Sequence, residues 1–541
     1  MSEAALPMAA PLSAPAARRV FSPWLIALAV VIPTFMEVLD TTIANVALRY
    51  IAGGLSAAVT DSEWVITSYL AANAIILPIS GWISAHLGRR NYFLLSIAIF
   101  TISSMLCGMA TSLNQLILFR VMQGLAGGGL QPSSQGVLLD SFPPEKQGAA
   151  MTLFGVAALL APIVGPTLGG WLTTNYSWRW IFYINLPVGA LAFFLSYILL
   201  DDPDYLKKER VELKKKPVNF DTIGLCPLAI VMVCWEVMLS KGQEWDWLND
   251  PFGRVQTLMA LFVLSLGSLI FYETHHKSPV VNFRPLLERN FAVSCLIIFC
   301  AFGVLYATST ATPALLQSLF GYDAYRAGLV LSPAGIFSVM MLIVVGGMLG
   351  RGVDARWLIV TGLLTLGLGN YWMSLKNLQM SPWDVVWPRV VLIIGLSMIF
   401  APLNVAAYLY TPKMLRGAAI GLFALLRNEG GSVGTSMSQT LEERREIFHS
   451  LRLNEHLDPF SPAFADFLQQ SKAFFLQQTG DPVLATQMAF KSLSGLLQQQ
   501  AASLAYFDCF WVFAILAFSL ALLVPFMKRS VAEKGAHVAA D

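Results

Sequence analysis

The chain has 541 residues, is 56% hydrophobic and only 13% charged, and carries a formal net charge of +2. Soluble domains average about 25% charged residues, so this composition excludes a soluble globular chain, and the near-neutral balance excludes electrostatic nucleic-acid binding. With a mean hydropathy of +0.62, it reads as an all-α polytopic membrane protein.

Residues 1–20, rich in Ala and Pro, read as a disordered amino terminus that ends near Arg18–Arg19. The apolar segment that follows has full span length and no small-residue cleavage site. It reads as a retained first span with the arginines as inner-side anchors. Fourteen spans are expected, near 24–49, 63–86, 91–110, 114–138, 148–173, 179–200, 221–240, 253–274, 291–318, 326–349, 355–375, 384–410, 415–436 and 504–527. An even count puts both termini on one side. The basic connections (GRRN at 88–91, PPEKQG at 143–148, 201–219, 275–290, GRGVDAR at 350–356, TPKMLRG at 411–417) fall on that side. The opposite loops at 51–62 and 111–115 carry no Lys or Arg. The bias makes both termini cytoplasmic.

The first span contains FMEVLDTTIANVAL, with two acids in an apolar run. Thr34, Glu37, Thr41 and Asn45 recur at helical spacing, with Asp40 on the flank. A polar stripe at membrane depth marks one wall of a cavity, and neighbouring buried carboxyls can hold a proton between them. A hydrogen bond from Asp40 to the next helix is the alternative. The second span ends in GWISAHLGRRN, whose Gly81, Gly88, Arg89 and Arg90 read as a gating loop. GGMLGRGVDARW at 346–357 echoes it, as expected of a transporter built from repeats.

The fourth span places Arg120 well inside its apolar run, followed by Gln123 and Gln131 on nearly the same face and Gln135 close to it. A buried Arg costs about 2.5–3.5 kcal/mol on insertion scales and needs an acid or an aqueous cavity. Either an aqueous path or an ion pair locking two helices follows. The fifth span, GVAALLAPIVGPTLGGWL, concentrates Pro162, Gly165, Pro166, Gly169 and Gly170. Proline bends a helix and glycine admits close packing.

Tyr306, Asn404 and Tyr408 are candidates for the second-half cavity wall. Arg427 and Glu429 are secondary candidates on different faces of the thirteenth span, each needing another partner. Glu236 reads as peripheral and Asp508 as interfacial or buried. The six cysteines fall in apolar runs without metal-ligand spacing. Residues 437–503 are long and polar. They are expected to extend the thirteenth span helically and return, either as a docking element or as a solvated hairpin.

RVMQGLAGGGLQP followed by APIVGPTLGG resembles the paired fourth- and fifth-span motifs of the major facilitator superfamily, the second being its antiporter pattern. LDTTIANVAL, SEWVITSYLAANAI, SWRWIFYINLPVG, KGQEWDW and RNEGGSVGTS resemble its 14-span drug/proton antiporter branch, of the EmrB/QacA type and nearer EmrB. The resemblance runs over nearly the whole chain after residue 20. It departs at Ala85, where the family's gating loop has Asp, and at Arg49, where the branch often has Pro.

The resemblance implies the major facilitator fold, two six-helix bundles plus an inserted helix pair. The segments are 1–20; a first bundle at 21–200; a basic loop and inserted spans at 201–290; 291–436 for five spans of the second bundle; 437–503 extended on the outer side; 504–527 for the last span; and a 528–541 tail. It also implies proton-coupled export of amphipathic, often cationic toxicants, with Asp40, Glu37 and Arg120 coupling the proton and Asp40 the foremost carrier. Thr41, Asn45, Gln123, Gln131 and Gln135 join the cavity wall. The setting is a bacterial inner membrane, with a periplasmic adaptor and outer-membrane channel meeting 437–503. No cofactor beyond the proton is implied. An exporter dedicated to one metabolite or siderophore, or an uncoupled facilitator, is the other reading. The chain has no GxxxxGK[ST] or HExxH, so an ATP-driven pump or membrane enzyme is not expected.

Overall fold

A computed structural model describes residues 22–531 apart from 144–145, 204–205, 208–209, 213–220, 277–278, 280, 413–414 and 459. Arg18–Arg19, the whole of the basic 213–219 stretch and the end of the carboxy-terminal tail lie outside the described residues. Every regular element among the described residues is helical.

A helix stands at each of the fourteen expected spans. The first is Pro23–Gly54, the second Trp64–Leu87 and the third Arg89–Met109. The fourth comes in two pieces, Leu113–Gly127 and Leu130–Ser141. The fifth is Gln147–Asn175, and the sixth joins Trp180–Tyr183 to Asn185–Leu199. The seventh and eighth are Thr222–Lys241 and Arg254–His275. Next come the ninth, Arg289–Phe320; the tenth, Ala324–Leu331 with Pro333–Gly350; the eleventh, Ala355–Ser374; and the twelfth, Pro382–Leu409. The thirteenth opens the helix Arg416–Glu455, and the fourteenth closes Pro482–Ala521.

Among the described residues, 11 helices are long and apolar enough to cross a membrane. The other three fall short for local reasons. The fourth span breaks at Gly128–Gly129, the eleventh is diluted by glycine and Asn370, and the thirteenth carries Arg427, Asn428 and Glu429. Arg427 and Glu429 are buried, so their charges face protein and not lipid.

Packing repeats with a period of eight spans. In the first half, span 1 packs on 5 and 6, span 2 on 4, and span 3 on 4 and 6. In the second half, span 9 packs on 13 and 14, span 10 on 12, and span 11 on 12 and 14. Span 5 meets span 10, and span 2 meets span 13, across the boundary between halves. The two echoing turns match as well: Gly88 and Gly352 both adopt positive φ, at 88° and 83°, which a side chain resists. Spans 7 and 8 lie outside this scheme. They pack on each other, and span 7 also touches spans 2 and 13.

The halves are closed toward the end that holds the 88–91 and 411–417 turns. A Cβ on Gly81 would sit 3.0 Å from the Gly417 backbone, and one on Gly421 would sit 2.7 Å from the Leu77 carbonyl oxygen. At mid-depth Phe154 stacks on Phe400 at 6.0 Å, and Phe302 lies 5.8 Å from Phe400. The expected central space is therefore filled with side chains in this conformation. Toward the opposite end, Thr41 is half-buried and Asn45 exposed, although they share a face with buried Glu37.

Candidate functional site

The first span organises two polar clusters. Asp40 lies within the first half. Arg120 Nη1 donates to Asp40 Oδ2 at 2.5 Å, with side-chain exposures of 0% and 1%. Gln123 Nε2 and Asn185 Nδ2 both donate to Asp40 Oδ1, at 3.0 and 2.7 Å. Arg120 also reaches the Val65 carbonyl at 3.0 Å and Gln123 Oε1 at 2.9 Å. Its guanidinium sits 4.2 Å from the centre of the Tyr69 ring. An acid that accepts from three donors is a satisfied one.

Glu37, one helical turn away, lies at the boundary between halves. Tyr69 Oη and Asn73 Nδ2 each donate to Glu37 Oε1 at 3.2 Å. Gln131 Nε2 donates to Glu37 Oε2, and Gln131 Oε1 accepts from Arg427 Nη2 on the thirteenth span. Glu37, Gln131 and Arg427 are all buried. Asn428 Nδ2 donates to Asn73 Oδ1 at 3.4 Å, adding a second polar contact across the boundary. Tyr69 joins the clusters, with its hydroxyl on Glu37 and its ring on Arg120.

The expected single stripe on the fourth span is divided by the break at Gly128–Gly129. Arg120 and Gln123 go to Asp40, whereas Gln131 goes to Glu37 and Arg427. Gln135, a turn further on, meets the second half through Asn404 at 3.3 Å and Tyr408 at 3.4 Å. Tyr306 lies against Thr41 across the boundary. Glu429 meets the carboxyl of Glu236, which also accepts from Ser432 at 3.0 Å. Glu236 is therefore buried against the second half and is not peripheral. Asp508 is interfacial, held by Arg445 at 2.6 Å and His449 at 2.7 Å.

The fifth-span motif lies against the first span beside the acids. A Cβ on Gly165 would fall 2.2 Å from Thr42 Oγ1, and one on Gly169 would fall 3.3 Å from Ile43. Gly170 instead meets Ala324 and Tyr325 of the second half. Pro162 and Pro166 are buried within an unbroken helix, Gln147–Asn175. In the gating loop, Arg89 pairs with Asp140 at the end of the fourth span. Arg90 donates through its backbone to Asp202 and through Nη2 to the Tyr197 carbonyl, both at 2.8 Å. With Ala85 in place of an acid, these contacts stay within the first half.

Tyr69, Asn73 and Asn185 complete the site yet were not singled out in the sequence. Each is an uncharged polar group inside a span, so a census of every polar side chain inside a span would have found them.

A family model described as Major Facilitator Superfamily matches residues 30–435. The chain is 36% identical to the multidrug export protein EmrB of Haemophilus influenzae, covering 93% of this chain and 95% of that one. It is also 36% identical to the fatty acid resistance protein FarB of Neisseria gonorrhoeae, over 82% and 85% of the two chains. Its fold is similar to that of the proton:xylose symporter XylE, with a TM-score of 0.58 at 13% identity over 93% and 94% of the two chains.

Proposed function

The chain belongs to the major facilitator superfamily, within its EmrB-type export proteins, and we propose that it expels diverse amphipathic toxicants in exchange for protons. The observation that carries this reading is the bridge from Glu37 through Gln131 to Arg427. It is an acid of one half joined by one amide to a cation of the other.

The bridge couples charge to shape. An ionised Glu37 needs a donor from Gln131, which leaves the amide oxygen to accept from Arg427. A protonated Glu37 can itself donate. Gln131 is then free to turn its amide, and an NH₂ facing Arg427 meets only donors. Protonation thus loosens the contact between halves, and loss of the proton restores it. The second half can rock away only as the Arg427 bond breaks. A cationic or amphipathic guest entering beside Thr41, Asn45 and Tyr306 competes with Arg427 for the acid. In this reading Glu37 carries the proton, and the buried Asp40–Arg120 pair orients Tyr69 beside it.

Positive-inside loops support an inner-membrane setting with both termini cytoplasmic. The helices Arg416–Glu455, Pro462–Thr479 and Pro482–Ala521 build an arm on the outer side, suited to meet a periplasmic adaptor. The test is transport in proteoliposomes across a panel of amphipathic cations and fatty acids. An imposed proton gradient is expected to drive accumulation of several panel members, each with counter-movement of protons. Transport that ignores the gradient, or that is confined to one compound, contradicts the reading.

A further inference from the structure

A second buried arginine has the place of the first but not its partner. Arg389 is the eighth residue of the helix opening at Pro382, as Arg120 is the eighth of the helix opening at Leu113. These are the twelfth and fourth spans, counterparts in the repeated packing scheme, as the ninth is of the first. The eighteenth residue of the first span is Asp40, but the eighteenth of the ninth is Tyr306. The ninth span has no acid along its length.

Arg389 is only 4% exposed. Its Nη1 donates to Thr308 Oγ1 at 2.8 Å and its Nη2 to Ser309 Oγ at 2.7 Å, while Nε has no acceptor among the described residues. Two hydroxyls satisfy hydrogens but cancel no charge. A guanidinium at this depth ordinarily has a counter-charge. Beside it is a cavity of about 10 Å³, lined also by Thr312, Met373, Pro388 and Phe510 and by no carboxylate. That is space for one water-sized occupant, with a pliable methionine in its wall.

We propose that this cavity holds a single small inorganic anion of the chloride class, which supplies to Arg389 the charge that Asp40 supplies to Arg120. The space excludes phosphate, sulfate and a cargo carboxylate by size. The anion holds the twelfth span to the ninth as the ion pair holds the fourth to the first. Nothing in this depends on the transport cycle.

The test compares thermal unfolding of the full-length protein in detergent, in chloride and in gluconate at equal ionic strength. Wild type is expected to gain a saturable rise in Tm with chloride that gluconate does not reproduce. Arg389→Gln is expected to lose that response. Thr308→Asp, which builds a carboxylate beside the guanidinium, is expected to fold without chloride and to be equally unresponsive. A wild type indifferent to the choice of anion, as for a cavity holding water, overturns the proposal. So does the wild-type chloride response persisting in Thr308→Asp or Arg389→Gln.

Discussion

Asp40 accepts from Arg120, Gln123 and Asn185 within the first half, whereas Glu37 is bonded through the Gln131 amide to a cation of the opposite half. Removing one member of a buried ion pair strands the other, at a cost of about 3–5 kcal/mol. Asp40→Asn should therefore lower the melting temperature markedly, and adding Arg120→Met should recover most of the loss. An Asp40→Asn protein that melts like wild type would contradict the burial and pairing described here. Asp40, Glu37 and Arg120 were all visible in the sequence as charges inside apolar runs. Which of the two acids meets the second half was not. Helical spacing puts Asp40 and Glu37 on adjacent faces but cannot say which face meets the other half.

At the scale of elements, the fifth and first spans approach through glycine. A methyl at Gly165 meets Thr42 Oγ1 at 2.2 Å and Thr42 Cβ at 2.8 Å. Overpacking of this kind costs about 1–3 kcal/mol. Gly165→Ala should lower stability and export together, with partial rescue by Thr42→Ala; full export by the single variant would show that the seam is not under constraint. The outer arm offers a pH test. Burial pushes the Glu442 carboxyl up from its ordinary 4.5 to about 7, with Tyr506 opposing and Glu446 and Glu443 adding to the rise. A raised acid favours the packed state at low pH. That preference is full below about 4.5 and fades as pH rises to about 7. Amide exchange in the stretch 437–455, corrected for intrinsic rates, should show more protection at the acidic end of this window, and Glu442→Gln should flatten the dependence. Spans and arm were legible because apolar length and helical spacing are local properties. The break at Gly128–Gly129 was not, since AGGG signals close packing as readily as it signals an interruption. Nor was the Glu236–Glu429 contact, which joins residues far apart in the chain.

For the whole molecule, a packing scheme that repeats every eight spans gives two similar bodies that differ in their charge. The first half supplies Asp40 with Arg120 and presents Glu37; the second presents Arg427 and buries Arg389 among hydroxyls. Tight contacts at Gly81–Gly417 and an exposed Asn45 at the opposite end describe a conformation sealed at the end of the 88–91 and 411–417 turns. In it Glu37 is bonded to Gln131, and through it to Arg427. The direct measurement is proton release from detergent-solubilised protein, in weakly buffered solution, on addition of a transported amphipathic cation. Wild type is expected to release protons in a saturable, pH-dependent manner. Glu37→Gln is expected to bind the cation but release none, while Asp40→Asn/Arg120→Met still releases them. Undiminished release from Glu37→Gln would contradict the central claim.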